Sequence, residues 1–341
     1  MSRVEVEPEA RTEAGPVGPD VPSEIVGRSP GQLFWLRFRR DRFAIAGLVI
    51  IAIIVALAIT APLFARWVGH GPFDVYAFEL TNDIGVPLGP TLNAPIIDDA
   101  GIQQGKVLFG ADGTGRDLFV RVLYGARTSL IVALSATAIE VFLGVVLGVL
   151  AGFYRGKVDT LISRIGDVFF ALPTLLLILG ITAACGAQPK GQECLGGLLK
   201  PGMGLIAFVI GFFAWPYLGR IIRGQVLSLR EKEFVEAARA AGASNFRIMT
   251  REILPNVVAP IIVFSTLLIP TNILAEAGLS FLGLGIQPPT PSWGGQLEEA
   301  ATLYRVAWWT MVWPGVFLFA TTLAFNLVGD GLRDAFDPRT A

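Results

Sequence analysis

Six long apolar stretches constrain this chain more than any other feature. Residues 43–65, 128–154, 168–189, 201–219, 253–275 and 306–329 each contain at most one charged side chain. A helix rises ~1.5 Å per residue, so about 20 residues cross the ~30 Å hydrocarbon layer of a bilayer. Within that layer a helix satisfies its own backbone hydrogen bonds. Composition agrees: 53% of the 341 residues are hydrophobic, 16% are charged and the mean hydropathy is +0.60. A soluble domain is usually about one quarter charged. The expectation is an all-α polytopic membrane protein with six transmembrane helices.

Charge placement orients the spans. With the N-terminus inside, Arg37 to Arg42, Arg155, Lys157, Arg164, the run from Arg220 to Arg251, and Arg333 and Arg339 all fall on the inner side. That side then holds well over half of the 27 Lys and Arg residues, as cytoplasmic flanks do. Both termini are expected in the cytoplasm. The net charge of -1 offers nothing to nucleic acid, and one histidine with two cysteines cannot supply the usual zinc cluster, so no metal site is expected. Residues 1–30 are rich in Pro, Gly and Glu and read as a disordered cytoplasmic tail. Residues 31–42 interleave Leu33, Phe34, Trp35, Leu36 and Phe38 with four arginines. They form either a short helix lying among lipid headgroups or a basic stop before the first span, 43–66. An extracytoplasmic segment, 67–126, precedes a five-helix core at 127–330, and 331–341 form a C-terminal tail.

Within that core, segment 229–255 has its own grammar. Glu233 to Ala241 favours helix, Gly242 can make a turn, Ser244 can cap a second short helix, and Pro255 ends or kinks it at the next span. The expected product is a helix-turn-helix on the inner membrane face.

The string Glu236-Ala237-Ala238, then Gly242, then Leu254-Pro255 resembles the EAA loop of ATP-binding-cassette importer permeases. Three more strings resemble the dipeptide, oligopeptide and nickel branch of that family. These are Asp112-Gly113-Thr114-Gly115-Arg116-Asp117 with Leu123 to Leu130, Leu279 to Gly285 followed by Pro288 to Gly294, and Asn326 to Asp334 with Asp337-Pro338. Together they look like a C-type permease with the type I importer fold. One departure is Glu252, where the family often has His or Ile. The resemblance implies a bacterial inner-membrane subunit that forms a translocation path with a non-identical B-type sibling. It implies two ATPase subunits, or one fused ATPase, docked on Glu236, Ala237, Ala238, Gly242 and Pro255. A substrate-binding protein outside would deliver peptide.

This chain is expected to be non-catalytic and to bind no cofactor. It has no G-x-x-x-x-G-K-[S/T] loop; the nearest string, Gly152 to Val158, has a three-residue gap and no hydroxyl, so ATP and Mg belong to the ATPases. An ion-driven carrier would more naturally show paired intramembrane charges and inverted repeats, whereas only Glu140 lies mid-span.

Other positions keep two readings. Gly144, Gly148 and Gly152 form a small-residue stripe for close helix packing, against a neighbour in this chain or in the sibling. Glu140 is either a translocation-path carboxylate meeting a peptide's amino end or a protonated Glu bonded within the bundle. Glu276, before Leu-Ser-Phe-Leu-Gly, is a gate or an anchor. Arg164 and Asp167 can pair on one helix face. Cys185 and Cys194 share an outer loop and are either bridged or independent thiols.

Overall fold

The structure, a computed structural model, describes residues 30–82, 85–98, 101–186 and 202–336. The expected tail at 1–29, residues 337–341 and Cys194 lie outside the described residues, so the cysteine bridge and the order of the tails stand as expectations. Among the described residues five helices are long and apolar enough to cross a membrane: α2 (Arg42–Val68), α3 (Leu118–Tyr154), α6 (Met203–Leu229), the run Asn245–Phe281, and α11 (Trp309–Phe336).

The third expected span, 168–189, is not one helix. α4 (Gly156–Ala171) and α5 (Thr174–Gly186) are bent 83° from each other at the Leu172-Pro173 break. Proline disfavours the helical region for the residue before it, and Leu172 is extended, with ψ 136°. The apolar run 168–189 therefore straddles a corner, and the helix count reaches six only if the bent pair is one span.

Short α1 (Pro30–Phe38) occupies the 31–42 segment and leans on the end of α11, with the Phe34 and Phe336 rings 4.4 Å apart. Asp41 then caps α2, accepting from the amides of Phe43 and Ala44. α2 and α11 lie close: a Cβ at Gly47 would stand 2.7 Å from the Ala324 carbonyl oxygen.

The all-α expectation gains one exception. In the segment expected to be extracytoplasmic, β1 (Thr91–Asp98) pairs antiparallel with β2 (Gly101–Val107). α3 starts at Leu118, so the boundary expected at 126/127 falls inside a helix. The Asp112 to Asp117 signature is what starts it. Asp112 Oδ1 accepts from the Thr114 amide, the Thr114 hydroxyl and the Arg116 amide. Gly115 sits at φ +78°, where a Cβ would meet the Tyr76 oxygen at 2.7 Å. Asp117 caps α3 through the Phe119 amide and takes His70 Nε2 at 2.7 Å. Burial pushes the Asp117 carboxyl above its ordinary range, with the His70 hydrogen bond opposing. Arg116 bridges Asp112 at 2.7 Å and Glu299 at 3.0 Å, and Arg121 reaches the same two carboxylates. Glu299 belongs to α10 (Trp293–Ala300), so this network clamps the start of α3 to a segment far along the chain.

The glycine stripe finds its neighbour within this chain. A Cβ at Gly144 would stand 3.0 Å from Leu218 Cβ, one at Gly148 2.7 Å from the Gly219 oxygen, and one at Gly152 2.7 Å from Val226 Cβ. All three partners lie on α6. From the other side, Gly211 of α6 meets the Ala136 oxygen of α3. α3 and α6 thus form one close-packed pair running most of the bundle's length.

Candidate functional site

Segment 229–255 folds as its sequence implies over its first half. α7 (Glu233–Ala240) ends in a turn in which Ala243 N donates to the Ala238 carbonyl and Gly242 N to the Arg239 carbonyl. That is the pattern of a helix closed by a left-handed residue, and Gly242 has φ +78°. Ser244 caps α8 (Asn245–Arg247), its hydroxyl accepting from the Arg247 amide.

The second half differs from expectation. Instead of a short helix ended or kinked at Pro255, α8 passes through a π-helical turn (Ile248–Ile253) into α9 (Leu254–Phe281). Pro255 is the second residue of α9, directly after that turn. The π turn absorbs the change that a break would otherwise have made.

Two faces result. Inward, Val235, Ile248, Met249, Ile253 and Val257 join Val149 and Phe153 of α3 and Leu218, Ile222 and Val226 of α6 in a single buried cluster. Outward, Glu236, Ala237, Gly242 and Pro255 are exposed, while Ala238 is half-buried and packs against the inward cluster. Phe246 stands 72% exposed beside them. An outer surface of small residues flanked by an exposed aromatic, rigidly joined to two long helices, is suited to receiving a push from a partner.

Farther along, Glu140 is buried in α3 at 1% exposure. Its Oε2 accepts from Asn272 Nδ2 at 3.0 Å, and Asn272 also donates to Thr137 Oγ1 at 2.9 Å. Glu140 and Asn272 line a cavity of about 370 Å³, with Phe169 and Phe170 of α4, Phe213 and Tyr217 of α6, and Thr271 of α9 also in its wall. The cavity side chains on α4, α6 and α9 were not picked out by sequence reasoning. The available signal was the adjacent Thr271-Asn272 pair, polar inside an apolar run.

Glu276 does not line that cavity; it lies one helical turn beyond Asn272 on α9. It is fully buried, and its Oε1 accepts from the Ser280 hydroxyl at 2.7 Å. Ser280 in turn accepts from the Ile286 amide, so Glu276 sits in the joint between α9 and the loop before α10. Arg164 lies 3.7 Å from Asp167, but Arg220 of α6 is nearer at 2.6 Å, and Arg223 pairs with Asp159. These pairs tie α4 to α6.

The model of the binding-protein-dependent transport system inner membrane component matches residues 144–341, more than half of the chain. The chain belongs to this family. Its N-terminal part, 29–95, matches the N-terminal TM domain of oligopeptide transport permease C. Among curated relatives, the glutathione transport system permease protein GsiD of Escherichia coli O6:K15:H31 is 39% identical over 315 residues, covering 92% of this chain and 91% of that protein. A Brucella abortus protein, provisionally named a peptide transport system permease protein, is 38% identical over 314 residues, with 92% and 94% covered. Among solved structures, a chain of the inward-facing MetNI methionine ABC transporter superposes with TM-score 0.50 at 19% identity, covering 64% of this permease and 96% of that chain. That likeness concerns the fold. The permease is a multi-pass membrane subunit of an ABC importer of the oligopeptide-permease-C kind.

Proposed function

We propose that this permease imports di- or oligopeptides, with both termini in the cytoplasm. It forms the translocation path with a B-type sibling, and an extracytoplasmic binding protein supplies the peptide. Its relatives' names support the peptide class: GsiD is a glutathione transport permease, and glutathione is a small peptide. The chain itself catalyses nothing and binds no cofactor; ATP and Mg are held by two ATPase subunits or one fused ATPase.

The observation that carries the coupling is the two-faced segment around Gly242. Glu236, Ala237, Ala238, Gly242 and Pro255 form the docking side, and the buried cluster behind them passes displacement to α3 and α6. An ATPase shifts the permease between access states only if it touches this surface differently in its nucleotide states. Glu140 is then the path carboxylate, facing the cavity between α3, α4, α6 and α9. Glu276, enclosed by its own helix end, is an anchor.

The test is uptake of labelled di- and oligopeptides into proteoliposomes holding the full complex, wild type against Gly242→Asp. The expected result is ATP-dependent uptake that the substitution abolishes while the subunit still assembles. Uptake that ignores ATP, or a Gly242→Asp complex that transports as well as wild type, would overturn the reading.

A further inference from the structure

Two cavities lie along α6 and α9, and they share two side chains. The first, of about 370 Å³, holds Glu140, Asn272, Thr271 and Tyr217. The second, of about 570 Å³, lies between α6, α9 and the end of α11 and is lined by Gln225, Pro260 and Arg333. Phe264 and Leu267 stand in both walls.

Helical spacing explains the overlap. On α9, residues 260, 264, 267 and 271 recur every three or four positions and make one stripe. On α6, Tyr217 and Gln225 are two turns apart on one face. The cavities are therefore successive parts of one groove, interrupted by Phe264 and Leu267. Leu267 is braced there: a Cβ at Gly329 of α11 would stand 2.5 Å from its Cδ2.

The groove has opposite charges in its two parts. Glu140 is the ionisable carboxyl of the first and Arg333 the cation of the second. Asn272 uses both amide hydrogens, one on Glu140 and one on Thr137, so it fixes the carboxyl at the cavity wall. A carboxylate held in apolar surroundings gains from an arriving cation because the alternative is an uncompensated charge. Each cavity falls within or near the ~300–1,000 Å³ typical of small-molecule sites.

We propose that this groove is a membrane-embedded binding passage for zwitterionic peptides. Glu140 and Asn272 receive the free α-ammonium end, Phe264 and Leu267 form the constriction, and Arg333 with Gln225 receives the α-carboxylate beyond it. The proposal rests on the peptide-import reading for its ligand, but its electrostatics can be read without any peptide.

Thr271 is exposed and lines the first cavity, so Thr271→Cys, in a chain carrying Cys185→Ser and Cys194→Ser, reports on it. In the assembled complex this thiol should react about tenfold faster with a cationic than with an anionic methanethiosulfonate, and Glu140→Gln should bring the ratio near one. Trialanine at saturating concentration should slow the reaction, whereas N-acetyl-trialanine amide, lacking both charges, should not. A ratio that Glu140→Gln leaves unchanged would overturn the site. Equal protection by both peptides would overturn the charge recognition, and Arg333→Gln should weaken protection by trialanine but not by trialanine amide. For the constriction, Phe264→Trp should slow pentaalanine uptake more than trialanine uptake; equal slowing would remove Phe264 from that role. If the wild-type complex transports no peptide while the charge ratio behaves as expected, the peptide reading fails and the cation-receptive cavity stands.

Discussion

Gly148→Ala puts the α3–α6 pair to its most direct test. The added methyl would sit 2.7 Å from the Gly219 carbonyl oxygen and 2.9 Å from Ile222 Cβ, both well inside ordinary van der Waals contact. Neither neighbour is the loose end of a flexible chain, so α6 must withdraw along this stretch. Overpacking of this kind costs about 1–3 kcal/mol, against a gain of up to about 1 kcal/mol from replacing a helical glycine by alanine. Gly224→Ala isolates the second effect, because nothing stands within 4 Å of a Cβ there. The two variants should therefore differ by about 1–3 kcal/mol, which for a chain of similar or somewhat smaller size is roughly 2–4 °C per kcal/mol. Thermal unfolding of the purified complex, followed by loss of its monodisperse chromatographic peak, reads this difference. Ile222→Ala should cost less in the Gly148→Ala background than in the wild type, because the added methyl then occupies part of the space the side chain vacates. A Gly148→Ala complex as stable as Gly224→Ala would refute the close approach and return the stripe to an unidentified neighbour.

Gly242 separates conformation from contact: it is left-handed in open space, so alanine costs about 1–2 kcal/mol locally while asparagine tolerates the geometry. ATP-driven uptake should fall in the order Gly, Asn, Ala, and equal damage from Asn and Ala would argue that the missing side chain itself matters. Glu299→Ala strips the second carboxylate from Arg116 and Arg121; because Glu299 is partly exposed, a loss at or below the low end of the ~3–5 kcal/mol for broken buried pairs is expected. Proteolysis within the 91–107 hairpin should accelerate, with the ratio of ATP hydrolysed to peptide imported unchanged. Pro173→Ala removes the constraint on Leu172, so spin labels at positions 161 and 181 should move apart as α4 and α5 straighten; an unchanged distance would place the bend's cause in packing instead.

Much of the architecture was legible because its physics is local. The five long helices follow from apolar length alone, and the Gly242 and Ser244 turn follows from glycine's access to positive φ and serine's capping oxygen. Pro173 was also visible, yet hydropathy averages across it, so the run 168–189 read as a straight span although the proline marks a corner. The π turn had no signature: Ile248 to Ile253 would serve an α-helix equally well, and the choice is made by burying Ile248, Met249 and Ile253 together against α3 and α6. At the candidate site, Glu140 stood out because a charge in an apolar run is costly, while its partners did not. Asn272 lies more than a hundred residues away in sequence, and the pairing exists only once α3 and α9 are side by side. The Asp112 to Asp117 string was recognisable as a signature; that Asp117 starts α3 and Arg116 ties that start to α10 required coordinates.

The buried cluster behind Gly242 has a mechanical corollary. Because Val235, Ile253 and Val257 share one interior with Phe153 and Ile222, the turn cannot swing as a flap on its own. It moves only as the end of a lever whose shaft is the α3–α6 pair, and the glycine stripe keeps that shaft from slipping along its own length. On the same shaft, Glu140 sits in α3 and Tyr217 in α6, both lining the first cavity. Under the coupling proposed above, a small tilt imposed at Phe246 would carry Glu140 and Tyr217 together against Phe169 and Phe170 of α4, and it is there that the width of the chamber would change.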